Sequence, residues 1–327
     1  MPTHSRPLQI AYLGSPQFSA DLLEALIAQS SQLGIFISVV FTQPDKPAGR
    51  GLTLRKTPVK QVAERNGIPC YCDGIKAHGA ASSRILHEHA IDLCILFAYH
   101  EMIPADVLSA PPYGFWNIHP SLLPHYRGAS PLAYALLMGE TNSGVTLMHM
   151  NQKMDEGDII DQVVFPLAHT DTQETLQKKL LVLNLHLLSK HLSHVHAVNR
   201  TLQDHTQATY TRKLTRADGY IDYTKLNNLI DGNTEPIEGI KLIQDFYMKN
   251  PNSTPPQYLR AHHLYNMWRA LHPWPGVWTE VVIKNVKKRL KVISMQQENS
   301  ERVLITQGQV EGESVKPWSH IISAISS

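Results

Sequence analysis

Short apolar runs alternate with longer amphipathic stretches over the first half of the chain, and this alternation leaves few folds open. LQIAYLG (Leu8 to Gly14) reads as a buried strand, SADLLEALIAQ (Ser19 to Gln29) as a helix with apolar residues at three-to-four spacing, and IFISVVFT (Ile35 to Thr42) as a second strand. Together they make a β-α-β unit. KQVAERNG adds a helix closed by Gly67, and AASSRILHEHA adds another. DLCILFAY is a continuous apolar strand of the kind that parallel sheets bury on both faces. The pattern predicts an α/β fold built on a doubly wound, Rossmann-like parallel sheet. In such sheets ligands lie outside the carboxyl ends of the strands, so the loops after Gly14, Tyr99 and Ile118 are expected to share one crevice.

At 327 residues and 43% apolar content, the chain is long enough for two cored domains. Beyond the strand at Val145 to Met150 come NQKMDEGDIID, a strand VVFPLA and then TDTQETLQKKLLVLNLHLL, where Asp171 and Glu174 read as a capping box opening a long helix. That helix is expected to close the first domain. From Ala197 to Lys213 the sequence is polar and aperiodic, which reads as a linker. A helical run, HHLYNMWRALH, then gives way at Pro273 and Pro275 to short alternating segments, VWTEVVI, RLKVISM and RVLITQG. These predict a small antiparallel, OB-like β-barrel. The expected division is a first domain over 1–199, a linker over 200–214 and a second domain over 215–327.

Composition and motifs disfavour several function classes. The 30 Lys+Arg and 28 Asp+Glu leave a net charge of +2, too nearly balanced to mark a nucleic-acid binder by charge alone. Basic surface is local instead. DKPAGRGLTLRKTPVK carries Lys46, Arg50, Arg55, Lys56 and Lys60 against Asp45 alone, and VIKNVKKRLK carries Lys284, Lys287, Lys288, Arg289 and Lys291. Such runs are usually solvated faces, and nucleic-acid contact is the sharper alternative. Cys70, Cys72 and Cys94 are too few for a disulfide framework or a four-ligand zinc site, and the CxC pair reads as small strand residues. The turn GSPQF after the first strand is not a dinucleotide fingerprint, and no Walker loop occurs. The amino terminus lacks the pattern of a secretory signal, and the most apolar run, Ile91 to Tyr99, contains Asp92 and falls short of the ~20 residues of a spanning helix. A cytoplasmic protein without a membrane segment is expected.

WNIHPSLLPHYRG, Trp116 to Gly128, carries the chemistry. Asn117 and His119 stand two apart on an extended segment and so share a face. Asp155, in the glycine-containing loop MDEGD just before a strand, is placed to return to the same crevice. An amide can donate to a developing oxyanion, an imidazole can move a proton near neutral pH, and a carboxylate can hold the imidazole and stabilise its charged form. That set suits acyl-type transfer to an amine. Spacing alone leaves open that all three are ordinary structural residues.

NIHPSLLPHYRGASPLAYALLMGETNSGVTLMHMNQKMDEGDII contains, in order, N-x-H-x-S-L-L-P, R-G, G-V-T and D-x-G-D, and it resembles the signature of the folate-dependent formyltransferases. FTQPDKPAGRG resembles the inserted loop of the branch that acts on methionyl-tRNA. TRKLTRADGYIDY and HPWPGVW resemble that branch's carboxy-terminal domain. The resemblance implies a catalytic trio of Asn117, His119 and Asp155. It implies folate contacts from Ser121, Leu122, Leu123 and Pro124, with Phe97, Ala98 and Tyr99 lining the pterin pocket through their backbone. The implied co-substrate is 10-formyltetrahydrofolate, with no metal. The implied acceptor is the α-amino group of initiator methionyl-tRNA, met by Lys46, Arg50, Arg55 and Lys56, in a protein expected to be a monomer. A sugar-nucleotide N-formyltransferase is the alternative, and it would share the trio but lack PAGRG. His100 and His125 depart from the family pattern, which usually has glycine and arginine there. The segment from Leu226 to Leu259 is longer than the family's short helical connection.

Overall fold

The computed structural model describes residues 6–48, 53–73, 75, 80–299 and 301–325. Its main sheet has seven strands in the order Asp158–Pro166, Asn142–His149, Phe115–His119, Leu93–Phe97, Leu8–Gly14, Ile35–Phe41 and Cys70–Tyr71. Leu8–Gly14 lies between Ile35–Phe41 and Leu93–Phe97 and is parallel to both. Cys70–Tyr71 and Phe115–His119 extend the parallel set. Every residue of Leu93–Phe97 and of Phe115–His119 is buried, as strands covered on both faces must be. On one face Ala11, Leu13, Val39, Phe41, Cys94, Leu96 and Phe115 join a single apolar cluster.

The sheet is mixed rather than wholly parallel, because Asn142–His149 runs antiparallel to Phe115–His119. The connection between these strands, residues 120–141, includes the seven-residue helix Pro131–Leu137. Apolar runs in the sequence report burial and are silent on direction.

Helix ends follow local chemistry. Thr57 accepts the Lys60 N–H and so caps Pro58–Arg65, with Pro58 in the first turn and Gly67 at φ +64° beyond the end. The long helix is Gln173–Leu192, and its cap is one residue later than the predicted Asp171 and Glu174 box. Thr172 Oγ1 accepts the Thr175 N–H at 3.3 Å, while Thr175 Oγ1 accepts the Thr172 N–H at 2.9 Å. Asp171 instead accepts the Ala168 N–H, at 2.7 Å, closing the preceding turn.

The chain divides into two compact units, one of Met1–Arg127, Gly144–Phe165 and Gln177–Ala208, the other of Gly128–Ser143, Pro166–Leu176 and Thr209–Ser327. Where the sequence predicts a barrel, the second unit has a four-stranded antiparallel sheet of Trp278–Ile283, Val286–Asn299, Arg302–Val310 and Val315–Pro317. Lys284 and Asn285, at φ 51° and 62°, make the two-residue turn of its first hairpin, the conformation that matches strand twist. Val281, Leu290, Val310 and Ile321 form the core beneath the sheet. The long segment from Leu226 to Leu259 is folded: its helix Lys241–Lys249 buries Leu242, Ile243 and Phe246, and the Phe246 ring lies 5.6 Å from that of Tyr134.

Candidate active site

The carboxyl ends of three neighbouring strands are aligned at one edge of the main sheet, Gly14 pairing with Phe97 and Leu96 with Asn117. Asn117 and His119 are 7% and 5% exposed, so their polar atoms have to be matched inside the protein. Asn117 Nδ2 donates to Asp155 Oδ1 at 3.4 Å. His119 Nε2 donates to the Tyr126 carbonyl at 3.0 Å, which turns Nδ1 toward Asp155 Oδ2 at 3.7 Å. At that distance the carboxylate faces the ring as a charge rather than as a hydrogen-bond acceptor. The structure thus brings together an amide, an imidazole and a carboxylate that lie up to 38 residues apart in sequence.

Asp155 reaches this position through an unusual backbone. Its φ is 52°, in the left-handed region that side-chain-bearing residues enter at a cost of about 1–3 kcal/mol. Gly157 is forced by packing, since a Cβ there would lie 2.0 Å from the His149 carbonyl oxygen. The loop is tied down by Gln203, whose Nε2 donates to the carbonyls of Asp155 and Gly157 at 2.9 and 2.7 Å. Gln203 falls in the stretch that the sequence reads as a linker. Its only sequence signal is an uncharged polar residue able both to donate and to accept.

The Ser121 to Pro124 turn is held from below. Ser121 Oγ donates to the His125 carbonyl at 2.7 Å. Thr146 Oγ1 donates to the Ser121 carbonyl at 2.6 Å and accepts the Leu123 N–H at 3.1 Å. Gln162 Nε2 donates to the Leu123 carbonyl at 2.9 Å. Leu123 is buried, whereas Leu122 and Pro124 are half-buried. Thr146, the threonine of the G-V-T motif, and Gln162 thus support the turn without being among the residues expected at the site.

At the neighbouring strand end, the side chains of Phe97 and Tyr99 turn inward. Phe97 packs edge-on against Phe18, with ring centres 5.2 Å apart, and its carbonyl accepts the Ser19 hydroxyl at 2.8 Å. The Tyr99 hydroxyl accepts the Ile75 N–H at 2.7 Å and donates to Glu101 at 3.1 Å. Burial, first of all, lifts the Tyr99 phenol above its ordinary range. Ala98, between them, has a φ of 55°. His100 and His125 both expose their side chains.

The basic segments are partly engaged in ion pairs. Lys46 and Arg55 are exposed and stand opposite each other on the small hairpin of Lys46–Ala48 and Thr53–Arg55. Lys46 donates to Gln43 at 2.8 Å, Lys56 pairs with Glu64 at 2.7 Å and Lys60 with Asp45 at 2.8 Å. Arg50 lies outside the described residues. In the second unit Lys287 pairs with Glu280 at 2.7 Å, Lys288 lies 3.5 Å from Glu313, and the Arg289 guanidinium sits over the Trp278 ring at 4.7 Å. Among the described residues no group of three or more His, Cys, Asp or Glu could hold a metal ion, and no helix is long and apolar enough to cross a membrane.

Residues 8–192 match the formyl transferase family, and residues 259–315 match the formyl transferase C-terminal domain. The chain belongs to the formyl transferase family. The relatives it resembles over most of its length are methionyl-tRNA formyltransferases. That of Roseiflexus sp. (strain RS-1) is 41% identical over 289 residues, covering 87% of this chain and 77% of the relative. That of Methylobacillus flagellatus is 40% identical over 221 residues, covering 67% and 70%. Among solved structures, a sugar N-formyltransferase from Shewanella sp. FDAARGOS_354 has a TM-score of 0.55 at 16% identity, covering 86% of this chain and 95% of that one. At that identity the likeness extends to the fold.

Proposed function

We propose that this chain transfers the formyl group of 10-formyltetrahydrofolate to the α-amino group of initiator methionyl-tRNA, supporting translation initiation. The observation that carries the reading is the convergence of Asn117, His119 and Asp155 in one buried site, in a chain whose relatives are methionyl-tRNA formyltransferases. The folate would lie along the pinned Ser121 to Pro124 turn and the backbone of Phe97 to Tyr99, beside the trio. Asn117 donates to the oxyanion that develops on the formyl oxygen as the neutral amine adds to the formyl carbon. His119, with Nε2 given to the Tyr126 carbonyl, presents Nδ1 to the same space, and in its charged form it shares that stabilisation. Asp155 balances the imidazolium and relays the proton that the attacking amine loses, while N10 of the departing tetrahydrofolate gains one. No covalent intermediate on the protein is required.

The acceptor would be met by the basic loop, through Lys46, Arg50, Arg55 and Lys56, with the second-domain hairpin following the nucleic-acid backbone by charge. In domain terms, residues 1–199 would carry catalysis, 200–214 would link and 215–327 would bind tRNA, in a cytoplasmic monomer. The test is to supply labelled 10-formyltetrahydrofolate and charged initiator tRNA, hydrolyse the product and identify the amino acid released. Label in formylmethionine is the expected result, and methionine released without label overturns the reading.

A further inference from the structure

Buried behind the Asp155 loop is a guanidinium. Arg127 is fully buried, and Gln203 is 5% exposed beside it. Arg127 Nε and Nη2 both donate to Gln203 Oε1, at 3.1 and 2.7 Å. Nη2 also donates to His205 Nδ1 at 3.0 Å, and Nη1 lies 3.5 Å from Glu156 Oε1. The far side of the Gln203 amide spends both of its N–H groups on the carbonyls of Asp155 and Gly157. The amide is thus filled on both sides, two bonds accepted and two donated, all inside the protein. A buried amide bound in this way has one orientation, since exchanging its oxygen and nitrogen would set N–H against a guanidinium and oxygen against two carbonyls.

The two carbonyls bracket Glu156, so the bonds from Gln203 fix the backbone on either side of it. That is the stretch in which Asp155 adopts φ 52°, a conformation that needs outside support to persist. The Asp155 carboxylate stands 3.4 Å from Asn117 and 3.7 Å from His119, distances that a small rotation of the loop would lengthen. We infer that Gln203 is a positioning residue for formyl transfer: it transmits the fixed geometry of buried Arg127 to the Asp155 loop and so aims the carboxylate at His119. This rests on the reading that Asp155 acts in the reaction.

Gln203 has two jobs that a single substitution separates. Gln203→Glu keeps the length and the acceptor for Arg127, and adds a charge that the guanidinium welcomes. It removes both N–H donors and sets a carboxylate oxygen against the Asp155 and Gly157 carbonyls. Were Gln203 present only to satisfy Arg127, this variant would retain activity. Positioning predicts a fall in kcat of ~10²-fold, the size expected for misplacing a catalytic group by about an ångström, with KM for 10-formyltetrahydrofolate within a few-fold of the parent.

The experiment measures kcat and KM for formylation of charged initiator tRNA in the parent, Gln203→Glu, Asp155→Asn and the double variant. Rates are referred to the concentration of folate sites titrated with 5-formyltetrahydrofolate, so that unfolded protein is not counted. Gln203→Leu, which removes donors and acceptor together, is run beside them. In the Asp155→Asn background the further loss from Gln203→Glu should shrink to a few-fold or less, because there is no carboxylate left to aim. A kcat for Gln203→Glu within a few-fold of the parent overturns the inference, as does an equal loss in both backgrounds. A parent that fails to formylate charged tRNA refutes the proposed function instead, so the two failures are distinct.

Discussion

Replacing Asp155 by Asn removes one charge and almost no volume. The Asn117 contact can survive through the remaining carbonyl oxygen, while the charge facing His119 Nδ1 at 3.7 Å is lost. Formyl transfer should slow by roughly 10²–10⁴-fold, the range for a positioned acid–base group, with folding and folate affinity nearly unchanged. Single-turnover kinetics with a parallel folate titration would check this, and activity within a few-fold of the parent would remove Asp155 from the chemistry. Asn117→Ala should cost about 10²–10³-fold in kcat through the loss of an oxyanion donor, read in the same assay. Asn117 and His119 are legible in the sequence because residues two apart on a strand share a face. Gln203 is not, because its burial depends on Arg127, a partner 76 residues away.

Packing at the element scale makes the Ser121 to Pro124 turn sensitive to the strand beneath it. A Cβ on Gly144 would lie 2.2 Å from Leu122 Cδ2 and 2.7 Å from the Val163 carbonyl oxygen, and the latter cannot move aside. Gly144→Ala should therefore destabilise by about 1–3 kcal/mol, the usual cost of overpacking, and raise KM for the folate as Leu122 shifts. Denaturant unfolding and steady-state kinetics read the two effects separately. In the helix Ala261–Leu271, burial first and then neighbouring His262 push the His263 ring down to about 4, with the Arg260 N–H bonded to its Nδ1 at 3.0 Å. The unfolded ring titrates near 6.5, so between those values the unfolded chain binds the extra proton. This contribution is whole above about pH 6.5 and is lost as pH falls toward 4. Discounted for partial exposure, it amounts to about 1–2 kcal/mol. His263→Asn, which keeps an acceptor for Arg260, should flatten the stability profile between pH 6.5 and 4.5 relative to the parent. An unchanged slope there contradicts the assignment. Strands and helices were largely legible from apolar period. The reversed strand and the displaced cap were not, because an apolar run reports burial and not strand direction, and the cap rests on reciprocal bonds between two threonines.

At the scale of the whole molecule, sequence motifs carry the functional reading further than charge does. Net charge is nearly balanced, and several basic side chains of both segments are already paired with acids. Lys46 and Arg55 are exposed and stand opposite one another on the small hairpin. Changing either to Ala should raise KM for charged tRNA and reduce the salt slope of kcat/KM by about one phosphate's worth. Folate affinity should not move. Identical salt slopes in parent and variants would take this hairpin out of tRNA recognition. Whether the trio serves formyl transfer to methionyl-tRNA is decided by competition. Charged initiator tRNA and a nucleotide-linked amino sugar are supplied together at equal concentration with limiting 10-formyltetrahydrofolate, and the formylated products are counted by mass. Formylmethionyl-tRNA is expected in excess of at least ~10²-fold, the discrimination open to a site that binds one acceptor through several charged contacts. Formyl groups found chiefly on the sugar would contradict it.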